Sequence, residues 1–195
     1  MNHITRISLA FSAIGLLVLV AATPFSARYT VDADSRFWID GTSTMGTYVC
    51  ESSRVSGQGR VDGGDTRMEA EIVVPVRAFD CGQSRMNRDF IAALRADRHP
   101  DLRFLLHRAE MLDQEAHPGA WVRVRARGTI RLAGTERPIV IEARGRRLGN
   151  NQVRIRGSHA LRMTDFGVDP PSGLMGLVRA HDQVVARFDL VARTD

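Results

Sequence analysis

The strongest structural signal in this sequence is a period of two in its second half. Residues 121–132 read WVRVRARGTIRL, so apolar or small residues alternate with arginine or threonine, and similar alternation returns at 138–146 and 153–162. A period of two places successive side chains on opposite faces of a β-strand, so that one face is buried and the other is exposed to solvent. Ala133-Gly134-Thr135 and Gly149-Asn150-Asn151 separate these segments as turns. The pattern predicts antiparallel hairpins, with a last strand at 183–193.

The first half of the chain repeats this pattern in shorter segments. Strands are expected at 36–43, 47–53, 56–61, 66–75 and 102–112. One exception, residues 84–96, has helical spacing: Met86, Phe90 and Leu94 share a stripe, and Ser84 is the expected N-cap. The chain is therefore expected to be all-β with one short inserted helix. Periodicity alone leaves a sandwich and a closed barrel both open.

Several positions on the inward face of the predicted strands carry glycine or alanine, among them Gly128, Gly145 and Gly157. In an eight-stranded barrel, small inward residues leave room for a lumen that holds one ligand. Alternatively, glycines relieve crowding and let strands bend sharply. The sequence does not decide between these two interpretations.

The N-terminus has the three-part pattern of a secretory signal. Arg6 precedes a run of apolar or small residues at 7–22, and small residues at 20–22 predict cleavage after Ala22. The alternative is an uncleaved anchor, because the run is only a little shorter than the roughly 20 residues of a spanning helix. Residues 1–22 are thus expected to be a signal peptide, and residues 23–195 are long enough for one domain.

The chain contains two cysteines, Cys50 and Cys81. In an exported protein, an oxidising compartment allows an even number of cysteines to pair. We therefore expect a Cys50–Cys81 disulfide. The alternative is a pair of unbonded, buried thiols.

Charge and motifs exclude several classes of function. The formal net charge is +5, carried by arginine alone since lysine is absent, and the arginines are scattered along strand-like segments as expected for the wet face of a sheet. Nucleic acid is therefore not an expected partner. The six histidines show no metal-binding spacing, and no nucleophile elbow, phosphate loop or dinucleotide fingerprint is present. We expect no metal, no cofactor and no enzymatic activity.

His159 falls on the inward phase of its strand. Such a histidine is either a satisfied barrel residue or a polar contact for the head group of a ligand.

The order of several short motifs resembles the YceI-like family, exported lipocalin-like proteins associated with binding polyisoprenoid chains. The resemblance extends from residue 29 to residue 191 and rests on these motifs: Tyr29-Thr-Val31-Asp32, SRFWIDGTS at 35–43, Val74-Pro-Val76, Arg88-Asp89, His99-Pro100 with Phe104, GTIRLAGTERP at 128–138, and Asp165-Phe166-Gly167-Val168. It implies an extended eight-stranded antiparallel barrel whose hydrophobic lumen is closed at one end partly by the helix. It also implies a periplasmic carrier of an isoprenoid lipid.

A prenyl chain offers only hydrocarbon, and burying it contributes roughly 0.8 kcal/mol per methylene, so an apolar lumen suffices to bind it. The candidate ligand-binding residues lie on the apolar phase of a strand or on the helix stripe: Phe37, Ile39, Met68, Ile72, Phe90, Phe104, Val122, Val124, Ile141 and Val153. Each could equally be plain core. The alternative function is a filled barrel that acts as a stress-response or accessory interaction protein, and a homodimer is possible.

Overall fold

The computed structural model describes residues 26–62, 68–149, 151–173 and 177–194. The predicted signal peptide at residues 1–22 lies outside the described residues. No helix within the described residues has the length and apolar character needed to span a bilayer.

Most of the described chain is β-strand. The strands are β1 (Ser26–Val31), β2 (Arg36–Ser43), β3 (Gly46–Ser52), β4 (Ser56–Asp62), β5 (Met68–Pro75), β6 (Asp101–Met111), β7 (Val122–Leu132), β8 (Thr135–Leu148), β9 (Gln152–Arg162), β10 (Ser172–Gly173) and β11 (Val178–Thr194). One α-helix, α1 (Ser84–Ala93), and two 3₁₀ turns, Val76–Ala78 and Met163–Phe166, complete the described elements. The predicted strands are all present, whereas β1 was not expected as a strand.

The strands close into an eight-stranded antiparallel barrel. The long strand β11 pairs with β9 along one edge, and along its other edge it pairs first with β2 and then with β1. Because β4 pairs with β1 and β3 pairs with β2, these four short strands fill two positions of the ring. Strands β5 to β9 and β11 fill the other six. The predicted barrel is confirmed, and the sandwich alternative is wrong.

A buried serine bridges the interruption between β1 and β2. The Ser35 hydroxyl donates to the Val191 carbonyl (3.2 Å) and accepts from the Val191 N–H (3.0 Å), and Ser35 is 1% exposed. The Val191 carbonyl also accepts the Asp32 N–H (2.8 Å), so the serine hydroxyl supplies the acceptor for the Val191 N–H where the strand breaks. This contact lets β1 and β2 share one position beside β11.

The inward glycines serve two different purposes. The space that a Cβ would occupy at Gly128 is filled by the Phe104 ring, and the space at Gly157 is filled by the Phe188 ring. At Gly145, a Cβ would meet only the Val124 side chain, at an ordinary 3.6 Å. Gly128 and Gly157 therefore relieve crowding by aromatic rings, and Gly145 leaves open space.

Helix α1 begins and ends differently from the prediction. Its N-cap is Gln83 rather than Ser84, and no side chain caps it. The turn before the helix is instead held by Asn87, whose side-chain oxygen accepts the Cys81 N–H (2.7 Å) and whose amide donates to Asp80 (3.1 Å). The helix ends at Ala93 rather than residue 96, because Arg95 adopts a left-handed backbone conformation (φ 52°).

The predicted disulfide joins Cys50 of β3 to Cys81, just before α1. On the edge of β3 that faces away from β2, Glu51 also forms an isolated backbone bridge with Asp80. The disulfide and the bridge therefore attach the helix segment to the edge of β3 that β5 does not reach. The Phe79 ring packs under the helix, 5.0 Å from the Phe90 ring and 5.9 Å from the Phe37 ring between centroids.

Candidate functional site

The barrel encloses an elongated cavity of about 1380 Å³. Its wall consists mainly of apolar side chains from the inner faces of the strands, as the period of two predicts. All ten candidate ligand-binding residues border it: Phe37, Ile39, Met68, Ile72, Phe90, Phe104, Val122, Val124, Ile141 and Val153. The structure brings these residues to one space, and their contact with a ligand remains a prediction.

The cavity reaches both ends of the barrel. Met45, in the turn between β2 and β3, borders one end and is 75% exposed, whereas Met111, at the end of β6, borders the other and is 72% exposed. Helix α1 contributes Met86 and Phe90, and its C-cap residue Leu94 also borders the cavity near the first of these ends. Phe166 also borders the cavity there and is 2% exposed. Helix α1 and the 3₁₀ turn containing Phe166 thus narrow the first end, and we refer to the other end, where Met111 is exposed, as the open end.

Arg95 anchors the narrowed end. Its guanidinium donates to the Ala133 carbonyl (2.7 Å) in the β7–β8 turn and to the Gly167 carbonyl (3.3 Å) after the 3₁₀ turn. These hydrogen bonds tie the C-terminal end of α1 to both neighbouring connections. The sequence analysis did not identify this role.

His159 and Tyr48 are among the polar side chains that border the mainly apolar cavity. Neither side chain has a hydrogen-bond partner within the described residues. Burial lowers the pKa of His159 and raises the pKa of Tyr48, so both side chains are neutral at pH 7. These two side chains can therefore offer hydrogen bonds to a neutral polar group without themselves carrying a charge.

Tyr48 was missed by the sequence analysis, although a signal for it exists. The alternation in β3 places Tyr48 on the same face as Cys50, and its ring occupies the space over Gly41 of β2. In a cross-strand pair, a glycine leaves room for the tyrosine ring on the opposite strand, so the Gly41–Tyr48 pair is the signal that could have identified Tyr48.

The open end of the cavity carries charged residues. Asp113 and Glu115, after β6, and Arg146 and Arg147, at the end of β8, border it. Hydrogen bonds from Arg123 to Asp113 (2.8 to 3.2 Å) lower the pKa of that carboxyl group to about 2, so it stays ionised at neutral pH. The sequence analysis assigned these arginines only to the wet face of the sheet. Within the described residues, no group of three histidine, cysteine, aspartate or glutamate side chains is arranged to hold a metal ion.

Comparison with known families agrees with this geometry. The family model for the YceI-like domain matches residues 29–192, which is most of the chain. The chain belongs to the YceI-like family. The resemblance deduced from the motifs is thereby confirmed. No curated protein matches the sequence.

Solved structures show the same fold at low sequence identity. BcnA of Burkholderia cenocepacia superposes with a TM-score of 0.64 at 18% identity, over 83% of this chain and 98% of that one. A polyisoprenoid-binding domain from Saccharophagus degradans, implicated in plant cell wall breakdown, gives a TM-score of 0.67 at 14% identity, over 86% of this chain and 98% of that one. The YceI protein of Campylobacter jejuni gives a TM-score of 0.58 at 14% identity, over 75% of this chain and 84% of that one.

Proposed function

We propose that this YceI-like protein is a non-enzymatic carrier that holds an isoprenoid lipid in its barrel. The observation that carries the proposal is the cavity of about 1380 Å³ inside the barrel, whose wall is mainly apolar. At about 30 Å³ per molecule, this space would otherwise hold on the order of 45 waters against a wall with few hydrogen-bonding groups. A hydrocarbon chain matches such a wall better than water does.

The shape of the cavity favours a long, thin ligand. Strands β6, β7 and β9 each have 11 residues, or roughly 36 Å along the strand at about 3.3 Å per residue. Because barrel strands tilt by about 35 to 45° from the barrel axis, such strands span roughly 25 to 30 Å of its length. Each methylene buried adds roughly 0.8 kcal/mol, so affinity should rise with chain length until the lumen is filled. The ten bordering residues named above are the proposed contacts. A polyisoprenoid-binding neighbour with the same fold supports the choice of ligand class.

The neutral polar groups suggest what the ligand carries besides hydrocarbon. His159 and Tyr48 are the proposed contacts for a neutral oxygen of the lipid, since neither side chain is charged at pH 7 and neither has a partner within the described residues. A charged head group would be better placed at the open end, beside Arg146 and Arg147.

The proposed location is the periplasm. The signal-like pattern at residues 1–22 supports export. The Cys50–Cys81 disulfide supports an oxidising compartment. Comparing the N-terminus of the exported protein with the sequence would establish whether cleavage follows Ala22.

Native mass spectrometry of the gently purified mature protein tests the proposal. We expect a mass several hundred daltons above the polypeptide, and we expect this excess to disappear after solvent extraction. The same spectrum reports whether the protein forms a homodimer. A protein that has the bare polypeptide mass and takes up no added prenyl lipid would refute the carrier function. The open cavity gives no support to the alternative of a filled barrel.

A further inference from the structure

Five arginines lie side by side on the outer face of the barrel. In the register of the sheet, Arg123 of β7 is directly opposite Arg144 of β8, and Arg144 is directly opposite Arg156 of β9. In the next row, Arg146 is directly opposite Arg154. Like charges in directly opposed positions destabilise a sheet. We refer to these five residues as the arginine cluster.

Carboxylates neutralise only part of this charge. Asp189 accepts two hydrogen bonds from Arg154 (both 2.7 Å) and one from Arg156 (2.9 Å), and Asp113 pairs with Arg123. The nearest carboxylate in the adjoining row, Glu142, is paired with Arg125. Five guanidinium groups thus face two carboxylates, and the cluster retains a positive charge.

Arg144 and Arg146 make no ion pair within the described residues. Arg144 is exposed, and the buried Nε of Arg146 has no hydrogen-bond partner. The Arg146 guanidinium instead lies over the ring of Trp121, 4.8 Å from its centroid, and the Arg156 guanidinium lies 5.5 Å from the same centroid. The ring holds both cations in place without neutralising them.

Apolar surface adjoins the arginine cluster. Trp121 is 36% exposed, and Met111, at the same end of the barrel, is 72% exposed. Met111 and Arg146 both border the open end of the cavity. Cationic groups, an amphipathic indole ring and an exposed apolar side chain therefore lie near one another at the open end of the barrel.

We propose that the arginine cluster and Trp121 dock the barrel on an anionic phospholipid surface. Guanidinium groups bind phosphate with paired hydrogen bonds, and tryptophan favours the interface between head groups and hydrocarbon. An acidic protein would match the charge but would not explain exposed apolar side chains at the cavity opening. Docking in this orientation turns the open end of the cavity toward the bilayer. The inference goes beyond the proposed carrier function, because it concerns the outer face and does not require an occupied lumen.

Vesicle binding tests the proposal. The mature protein is prepared with the substitution Trp38→Phe, so that Trp121 is its one tryptophan, and its lipid is removed. It is then mixed with phosphatidylcholine vesicles with or without 30 mol % phosphatidylglycerol. We expect co-sedimentation and a blue shift of Trp121 emission only with the anionic vesicles, and weaker binding as salt rises. No binding to anionic vesicles, or binding without a change in emission, would overturn the proposal.

The variant Arg144→Gln/Arg146→Gln removes the two arginines without ion pairs. We expect its affinity for anionic vesicles to fall by roughly tenfold to thirtyfold, since each arginine near an anionic surface contributes a factor of about five. The matched control, Arg88→Gln/Arg98→Gln, removes two exposed charges around α1 and should bind within about twofold of the parent protein. An equal loss in both variants would show that net charge alone drives binding and would overturn the docking site. If the parent protein bound soluble polyglutamate as tightly as it binds anionic vesicles, this result would also overturn the docking site.

The outcomes separate this proposal from the carrier function. If the gently purified protein carries no lipid, but its delipidated form binds anionic vesicles through Trp121, the result supports docking and contradicts the carrier function. Protein that carries lipid but ignores anionic vesicles supports the carrier and contradicts docking.

Discussion

Replacing Gly145 with leucine should block the cavity without damaging the fold. Gly145 borders the cavity, and a Cβ built there would meet only the Val124 side chain at 3.6 Å, an ordinary van der Waals contact. A leucine side chain would therefore extend into the lumen. Because glycine inside a strand costs roughly 0.5 to 1 kcal/mol relative to alanine, the variant should be at least as stable as the parent.

The effect on ligand binding follows from the volume displaced. Leucine adds four carbons, and at roughly 0.8 kcal/mol per methylene their displacement of an equal amount of ligand hydrocarbon costs about 3 kcal/mol. This corresponds to an affinity loss on the order of 100-fold. That affinity loss is a lower bound for a long, thin ligand, because the branched leucine side chain also keeps the ligand from the part of the lumen on its far side.

The assay compares lipid retained by purified Gly145→Leu with lipid retained by Gly149→Leu, and it monitors thermal unfolding of both. Gly149 lies after β8, where a Cβ would meet nothing within 4 Å, so the second leucine stays outside the lumen. We expect lipid to be lost only from Gly145→Leu, at an unchanged or higher melting temperature. Full retention by that variant would refute binding in the lumen.

Three further predictions concern stability and its dependence on pH. Cys50→Ser/Cys81→Ser should lower the free energy of unfolding by roughly 3 to 4 kcal/mol, measured by urea titration, because the bond closes a loop between residues 31 apart. Phe166→Ala should lower it by about 3 to 5 kcal/mol in the same assay, since the ring is 2% exposed and packs in the core; a loss under 1 kcal/mol would contradict that packing. Asp189 has a pKa lowered mainly by the hydrogen bond from Arg154, so its stabilising contribution is present above the unfolded pKa near 4 and is lost as pH falls through the lower folded value. Urea titrations should therefore show Asp189→Asn less stable than the parent at pH 7, with a difference that shrinks below about pH 4; a constant difference would contradict the assigned cause.

The hairpins of the second half could be predicted from the sequence because their information is local. In β7, β8 and β9 a strict period of two decides which side chains face the lumen, and short turns decide which strands pair. The Cys50–Cys81 bond was predictable for a different reason, since a chain with two cysteines allows only one pairing. Ring closure was not readable in this way. It depends on β1 and β2 pairing with β11, near the other end of the chain, where Ser35 also bonds to Val191, 156 residues away in sequence.

The glycines show why the lumen itself was ambiguous from sequence. Gly128, Gly145 and Gly157 share the same inward phase, but two of them face an aromatic ring and one faces open space. The Phe104 ring that covers Gly128 belongs to β6, and the Phe188 ring that covers Gly157 belongs to β11. Whether the space beside a glycine stays empty or is occupied by an aromatic ring depends on the side chains of a neighbouring strand. A period of two within one strand carries no such information.

The period of two along β8 places both the lumen wall and the outer arginine cluster on this strand, and it allows the two proposed surfaces to be tested one at a time. Along β8, Gly145 borders the lumen, and Arg144 and Arg146 on either side of it belong to the outer arginine cluster. Substitutions at adjacent positions should therefore have separate effects. Gly145→Leu should lose lipid and still bind anionic vesicles, because its outer face is unchanged. Arg144→Gln, alone, should weaken vesicle binding and still retain lipid, because its side chain lies outside the cavity wall. Loss of both properties in either variant would mean that the inner and outer faces of β8 do not act independently, and would refute this division of roles.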